Sequence, residues 1–97
     1  MPDIQIELQK TERGGRYAAR IAGVTGEAEL TYTARGPALV SADHTEAPPS
    51  MRGTGVALAL VERLIADARA GGFKIKPVCS YVQAQALKHP EWADVIA

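Results

Sequence analysis

The apolar residues change their spacing halfway along this sequence, and that change limits the folds open to the chain. In the first half they alternate with polar residues, which is the period of a half-buried β-strand. From residue 54 to residue 70 they recur every three or four positions, the period of an amphipathic helix. The alternating runs cover 4–8, 17–21, 28–33 and 39–45. Short turn segments separate them, so we predict a four-stranded antiparallel meander followed by a helix.

The second half continues as helix, strand and helix. Gly71 and Gly72 end the first helix, and residues 73–78 form a fifth strand. Ser80 is a suitable N-cap for a short helix over 81–88, and Pro90 begins a last helical turn. The fold class is therefore α+β. A right-handed crossover between strands four and five would make them parallel.

Pro77 lies inside the fifth strand and has no N–H group to donate to a neighbouring strand. Two interpretations follow. The strand lies at the edge of the sheet, or strands four and five splay apart at this point and open a cleft. The sequence leaves both open.

Composition excludes several classes of protein. A chain of 97 residues, 46% of them hydrophobic, suits one domain over 1–97 with one core. Eleven basic and eleven acidic residues give no net charge, which argues against a nucleic-acid binder with a broad basic surface. A lone cysteine, Cys79, cannot form an internal disulfide, and no apolar run is long enough to span a membrane. We expect a cytoplasmic protein, a monomer or weak homodimer, with neither nucleic-acid nor membrane partners.

A glycine-containing segment joins the fourth strand to the long helix. Its glycines allow a tight turn and close approach of a ligand to the backbone. The unpaired N–H groups and the dipole of the helix start attract anions, so the segment suits a diphosphate. A turn without a ligand is the alternative interpretation. The P-loop and dinucleotide motifs are not matched, because no Lys follows Gly55 and Leu58 replaces the third glycine. The segment is Arg52-Gly53-Thr54-Gly55-Val56-Ala57.

The pattern Arg52-x-x-Gly55-x-Ala57 resembles the Gln/Arg-x-x-Gly-x-Gly/Ala signature of the Gcn5-related (GNAT) acetyltransferases. The segments HTEAPP at 44–49, GFKIKPVCSYV at 72–82 and KHPEW at 88–92 resemble the small YjdJ-type branch of that superfamily. The resemblance implies a minimal GNAT fold, with strands four and five parallel and splayed. It implies that the two helices following the first strand in full-size members are replaced here by a turn.

The resemblance also implies a cofactor, acetyl-CoA, held by Thr45, by the residues of segment 52–57 (Arg52, Gly53, Thr54, Gly55, Val56 and Ala57) and by Tyr81. The acceptor would be an amine on a small molecule or a protein. Cys79 matches the position of a cysteine proposed as catalytic in the small branch. It would accept an acetyl group before passing it on, because a helix N-terminus favours the thiolate. The alternative for Cys79 is a small buried apolar residue.

Glu46 and His44, at the end of strand four, are candidates for the base that deprotonates the amine. Tyr81 is a candidate acid for the departing thiolate, although Gln85 replaces an aromatic residue expected in the small branch. Two distant histidines and one cysteine argue against a zinc site.

We therefore predict an acetyl-CoA-dependent N-acetyltransferase. A CoA-binding module with little or no transfer activity and a structural interaction domain remain the alternatives.

Overall fold

The computed structural model describes residues 3–97. Within these residues the change of apolar spacing becomes a change from strands to helices, and the predicted α+β order is confirmed. The elements are β1 (Ile4–Lys10), β2 (Gly14–Ile21), β3 (Ala28–Gly36), β4 (Leu39–Glu46), a 3₁₀ turn (Pro49–Met51), α1 (Val56–Gly71), β5 (Lys74–Pro77), α2 (Ser80–Lys88) and a C-terminal 3₁₀ helix (Pro90–Asp94).

Two helix boundaries differ from the prediction. The first helix begins at Val56 rather than Thr54, because Gly55 before it has a left-handed backbone that a helix does not contain. The N-cap of α2 is Cys79 and not Ser80. The backbone of Cys79 is still extended (φ −65°, ψ 129°), so Ser80 is already the first helical residue.

All five strands form one sheet in the order β1-β2-β3-β4-β5. The first four pair antiparallel with their neighbours, and β5 pairs parallel with β4 across the connection made by α1. Asp43 has no partner on β3, because Ala42 pairs with Tyr32 while His44 pairs with Thr31. The β-bulge lies before His44, so the normal alternation of a strand places His44 and Glu46 on one face of β4.

The ladder between β4 and β5 ends at the pair Ala42–Pro77. The N–H groups of Val78 and Cys79 both donate to the carbonyl of Ala42, at 3.1 and 2.8 Å, and the chain then turns into α2. The strand pairing agrees with both interpretations of Pro77, whereas the cleft itself stays a prediction. β5 is an edge strand, and residues 43–46 of β4 have no ladder partners on β5.

The core lies between one face of the sheet and the helices. Buried residues of α1 follow the spacing of an amphipathic helix, and burial of each large one stabilises the fold by about 1.5–3 kcal/mol. The main contributors are Tyr17, Leu30, Ala42 and Ile75 from the sheet, Leu60, Val61, Leu64, Ile65 and Ala68 from α1, and Val82 and Trp92 from the C-terminal elements. Neither α-helix of the described chain has the length and apolar character that crossing a bilayer requires.

The opposite side of β1–β4 is polar. Cross-strand pairing there forms two adjacent rows, which we call the polar face: Glu7, Ala18, Glu29 and Glu46 in one row, and Gln9, Arg16, Thr31 and His44 in the other. The guanidinium of Arg16 bridges Glu29 (2.7 Å) and Glu27 (2.5 Å), and these hydrogen bonds raise the pKa of Arg16. The polar face is therefore a connected network of charges.

Candidate functional site

The segment 52–57, which we call the helix-start loop, is fixed at both ends by the core. Met51 is 1% exposed and Val56 is 2% exposed, whereas Arg52, Gly53 and Gly55 between them are exposed. The core therefore holds the ends of the loop and leaves its middle open to solvent.

The side chain of Thr54 is hydrogen-bonded to the backbone on both sides of it in the chain. Its hydroxyl donates to the carbonyl of Met51 at 2.6 Å and accepts the N–H of Val56 at 3.3 Å. The Thr54 side chain is therefore already engaged in shaping the loop.

Both glycines of the loop have left-handed backbones, with φ of 77° at Gly53 and 80° at Gly55. A Cβ atom at either position would meet no protein atom within 4 Å. In residues 3–97, the N–H groups of Gly53, Gly55, Ala57 and Leu58 find no acceptor. The first turn of α1 contains no acidic side chain. The loop therefore offers unpaired N–H donors and the positive end of a helix dipole to an external anion.

Cys79 lies where β4 and β5 separate. Its Sγ atom is 3.5 Å from Oγ1 of Thr45 on β4. Burial raises the pKa of the thiol, but the Thr45 hydroxyl and the backbone N–H groups of Val82 and Tyr81 together lower it by more. The pKa of Cys79 consequently lies below the ordinary value of a thiol, although the Cys79 side chain forms no capping hydrogen bond with the first turn of α2.

Tyr81, in the first turn of α2, is half-buried against the core. Burial, followed by the negative charge of Glu62 on α1, raises the pKa of its phenol. The hydroxyl therefore remains protonated at neutral pH and can donate a hydrogen bond.

His44 and Glu46 project from β4 on the polar face, where His44 Nε2 lies 3.0 Å from Glu46 Oε2. Glu29 on β3 is directly opposite Glu46, and one of its oxygens lies 3.9 Å from the same imidazole nitrogen. Sequence reasoning missed Glu29. Its place in the alternation of strand three was a usable signal, but the register between strands could not be obtained from the sequence.

The predicted site residues fall into separate groups. Thr45 pairs with the core residue Leu30, so Thr45 and Cys79 meet on the helix-bearing side of the sheet. His44 and Glu46 lie on the opposite side. The structure brings Cys79 to Thr45 and His44 to Glu46, but it does not join the two pairs.

A groove of about 450 Å³ lies between α2 and the C-terminal 3₁₀ helix. Its lining is mainly apolar and includes Pro77, Gln83 and Leu87, but none of the predicted site residues. The candidate site is therefore an open surface around β4 and the helix-start loop, separate from this groove.

The chain is similar to known proteins in sequence and in fold. The family model described as GCN5-related N-acetyl-transferase matches residues 16–95. Protein NATD1 of Gallus gallus is 29% identical over 87 residues, which cover 90% of this chain and 77% of that protein. The NMR solution structure of a GCN5-like protein from Staphylococcus aureus superposes with a TM-score of 0.67, covering 94% of this chain and 87% of that one, at 22% identity. The chain belongs to the GCN5-related N-acetyltransferase family.

Proposed function

We propose that the protein is an acetyl-CoA-dependent N-acetyltransferase that modifies an amine. The observation that carries the proposal is the geometry of the helix-start loop. Its two glycines have left-handed backbone conformations, an added Cβ at either would meet no protein atom within 4 Å, and its N–H groups are unpaired. Such a loop in a member of this family suits the diphosphate of coenzyme A.

The residues present fit that ligand. The N–H groups of Gly53, Gly55, Ala57 and Leu58 would donate to phosphate oxygens, and the exposed guanidinium of Arg52 would add a positive charge. Val56 and Met51, both buried, would keep the loop from moving when the ligand binds or leaves. The thioester would then extend along β4 toward Thr45 and the end of the β4–β5 ladder.

One route of transfer passes through Cys79. Its thiolate would attack the acetyl carbonyl carbon and form a new C–S bond, while the original thioester bond breaks and the sulfur of coenzyme A leaves. Tyr81, whose phenol stays protonated at neutral pH, would donate a hydrogen bond to that leaving sulfur. The acceptor amine would then attack the acetyl-cysteine, releasing Cys79 as a thiolate and losing a proton to a base. The lowered pKa of Cys79 supports this route.

The second route is direct attack of the amine on the thioester, with Glu46 or His44 removing the proton. The position of this pair on the polar face supports an acceptor that approaches from the side of the sheet opposite the helices. Positioning of the two reactants would then supply most of the rate increase.

A CoA-binding module with little transfer activity is the second candidate. It is supported by the three-residue connection 11–13 between β1 and β2, which stands where the resemblance to full-size members implies two helices that help to bind the acceptor. The separation of Cys79 from His44 and Glu46 supports it as well.

Three measurements distinguish these possibilities: the intact mass of the protein, the release of free coenzyme A, and the binding of acetyl-CoA. The protein is mixed with acetyl-CoA without an amine, and the mass of the chain is measured alongside that of Cys79→Ser. Acetylation of the wild type only, followed by its loss when an amine pool is added, supports the cysteine route. Release of free coenzyme A by both proteins, dependent on the amine, supports direct attack. Binding of acetyl-CoA without any amine-dependent release supports the module.

A further inference from the structure

Three potential metal ligands converge on the polar face. The Nε2 atom of His44 lies 3.0 Å from Glu46 Oε2 and 3.9 Å from Glu29 Oε2. One donor atom from each of the three side chains lies within 4.8 Å of the other two. Donor atoms about 2.1 Å from a tetrahedrally coordinated ion lie about 3.4 Å apart, so side-chain movements of up to about 1.4 Å would complete the set.

The sheet produces this convergence through its register. Glu29 and Glu46 form a cross-strand pair, and His44 is two residues before Glu46 on the same face of β4. Two carboxylates directly opposite one another repel unless a positive group lies between them. Here the imidazole nitrogen of His44 lies near both carboxylates, so a cation bound to it would be close to both of them.

Arg16 fixes the third ligand from outside the cluster. Its Nε donates to Oε1 of Glu29 at 2.7 Å, which leaves Oε2 directed at His44. Ligating carboxylates in metal sites are commonly held by such a second hydrogen bond. The cluster thus has both the donor set and an outer support for a bound ion.

We propose that Glu29, His44 and Glu46 bind a divalent transition-metal ion of the Zn²⁺ type. One imidazole and two carboxylates suit Zn²⁺ better than Ca²⁺ or Mg²⁺, which prefer oxygen ligands only. His44 and Glu46 are exposed enough to adjust, and the remaining coordination positions face solvent. The histidines and the cysteine alone cannot form a zinc site, but in the folded chain a carboxylate from the neighbouring strand β3 joins His44 and Glu46.

The same two side chains are candidate bases in the proposed transfer reaction. A bound ion would occupy their lone pairs, so Zn²⁺ would inhibit transfer by direct attack. Metal binding itself does not depend on the proposed function and is measured without acetyl-CoA.

The chain contains a matched control. His89 Nδ1 lies 3.0 Å from Glu91 Oε2, the same His-x-Glu pairing at the same distance. In residues 3–97, only the His44 pair belongs to a cluster of three potential ligands. His89→Ala therefore removes a His–Glu pair without removing the proposed site.

The test is calorimetric titration of untagged Cys79→Ser protein with Zn²⁺, since this background excludes binding by the thiol. We expect one ion per chain, unchanged binding in His89→Ala, and at least about tenfold weaker binding in His44→Ala and Glu29→Gln. In NMR spectra, Zn²⁺ should shift the ring resonances of His44 and leave those of His89 in place.

Three results would overturn the proposal. They are the absence of binding at sub-millimolar Zn²⁺, unchanged binding in folded His44→Ala, or loss of binding in His89→Ala. Each is read without any enzymatic assay, so failure of the metal site leaves the proposed function standing.

Discussion

Substitution of Gly55 separates the structural role of the helix-start loop from its role in binding. Gly55 has φ 80° and ψ 10°, a left-handed conformation that costs a residue with a side chain about 1–2 kcal/mol. A Cβ there meets no protein atom within 4 Å, so packing adds nothing. Gly55→Ala should therefore unfold about 4–8 °C lower for each kcal/mol lost, and should remain folded at 25 °C.

Acetyl-CoA should bind Gly55→Ala much more weakly than the wild type. The new Cβ would project into open space beside the loop, where the proposed diphosphate would lie, and should keep a phosphate from the N–H groups. Loss of one hydrogen bond to a charged group costs about 1.5–3 kcal/mol, which corresponds to a roughly 10- to 150-fold weaker affinity.

Gly72, at the other end of α1, supplies the control. It has φ 72°, a Cβ added there would also meet no atom within 4 Å, and it lies about 25 Å from Gly55 along the helix. Gly72→Ala should lose the same stability and bind acetyl-CoA like the wild type. Thermal unfolding and calorimetric titration of both variants measure the two quantities. If Gly55→Ala loses stability but keeps wild-type affinity, the loop does not hold the diphosphate.

Three further outcomes are expected. Tyr17→Phe removes a buried hydroxyl that donates to a carboxylate of α1 at 2.7 Å, and chemical denaturation should show a loss of about 2 kcal/mol, with no loss contradicting a structural role for the bond. The alkylation rate of Cys79 should rise with pH, and the midpoint of this rise should lie below that of a small free thiol. Thr45→Val should raise the midpoint, and an unchanged midpoint would show that the Thr45 hydroxyl does not stabilise the thiolate. Leu64→Ala, at a fully buried position, should lower the free energy of unfolding by about 2–5 kcal/mol. Leu87→Ala, at a position that is 87% exposed, should change it by about 0.5 kcal/mol or less, and equal effects of the two variants would contradict the assigned core.

The order of strands and helices was predictable because each of them buries one face, which gives its apolar residues a regular spacing in the sequence. The runs at 4–8, 17–21, 28–33 and 39–45 alternate, and all four lie within observed strands. Pro77 correctly indicated the end of the β4–β5 ladder, since a residue without N–H cannot extend it. Helix starts were less predictable, because the first residue of a helix depends on individual dihedral angles such as those of Cys79.

The site was only partly predictable, because it depends on pairing between strands. His44 and Glu46 are two residues apart, a spacing that puts both on one face of a strand, and the bulge at Asp43 leaves that relation intact. It could not show that Glu29 stands opposite Glu46. The contact between Cys79 and Thr45 likewise joins residues 34 positions apart and required the fold. The branch of the family and the individual catalytic roles stay predictions.

The position of the short connection 11–13 also determines how long a segment inserted there must be to reach the candidate site. Ile4 pairs with Ile21 and Glu29 with Glu46, so these residues share the end of the sheet near Cys79, and the 11–13 turn is at the other end. The eight residues of β2 separate the two ends by about 23 Å. A helix covers that distance in about 15 residues and needs as many to return. A hairpin of two helices inserted there would therefore need about 30 residues to reach the Cys79 end and return, whereas an extended loop would cover the same distance with about 7 residues each way.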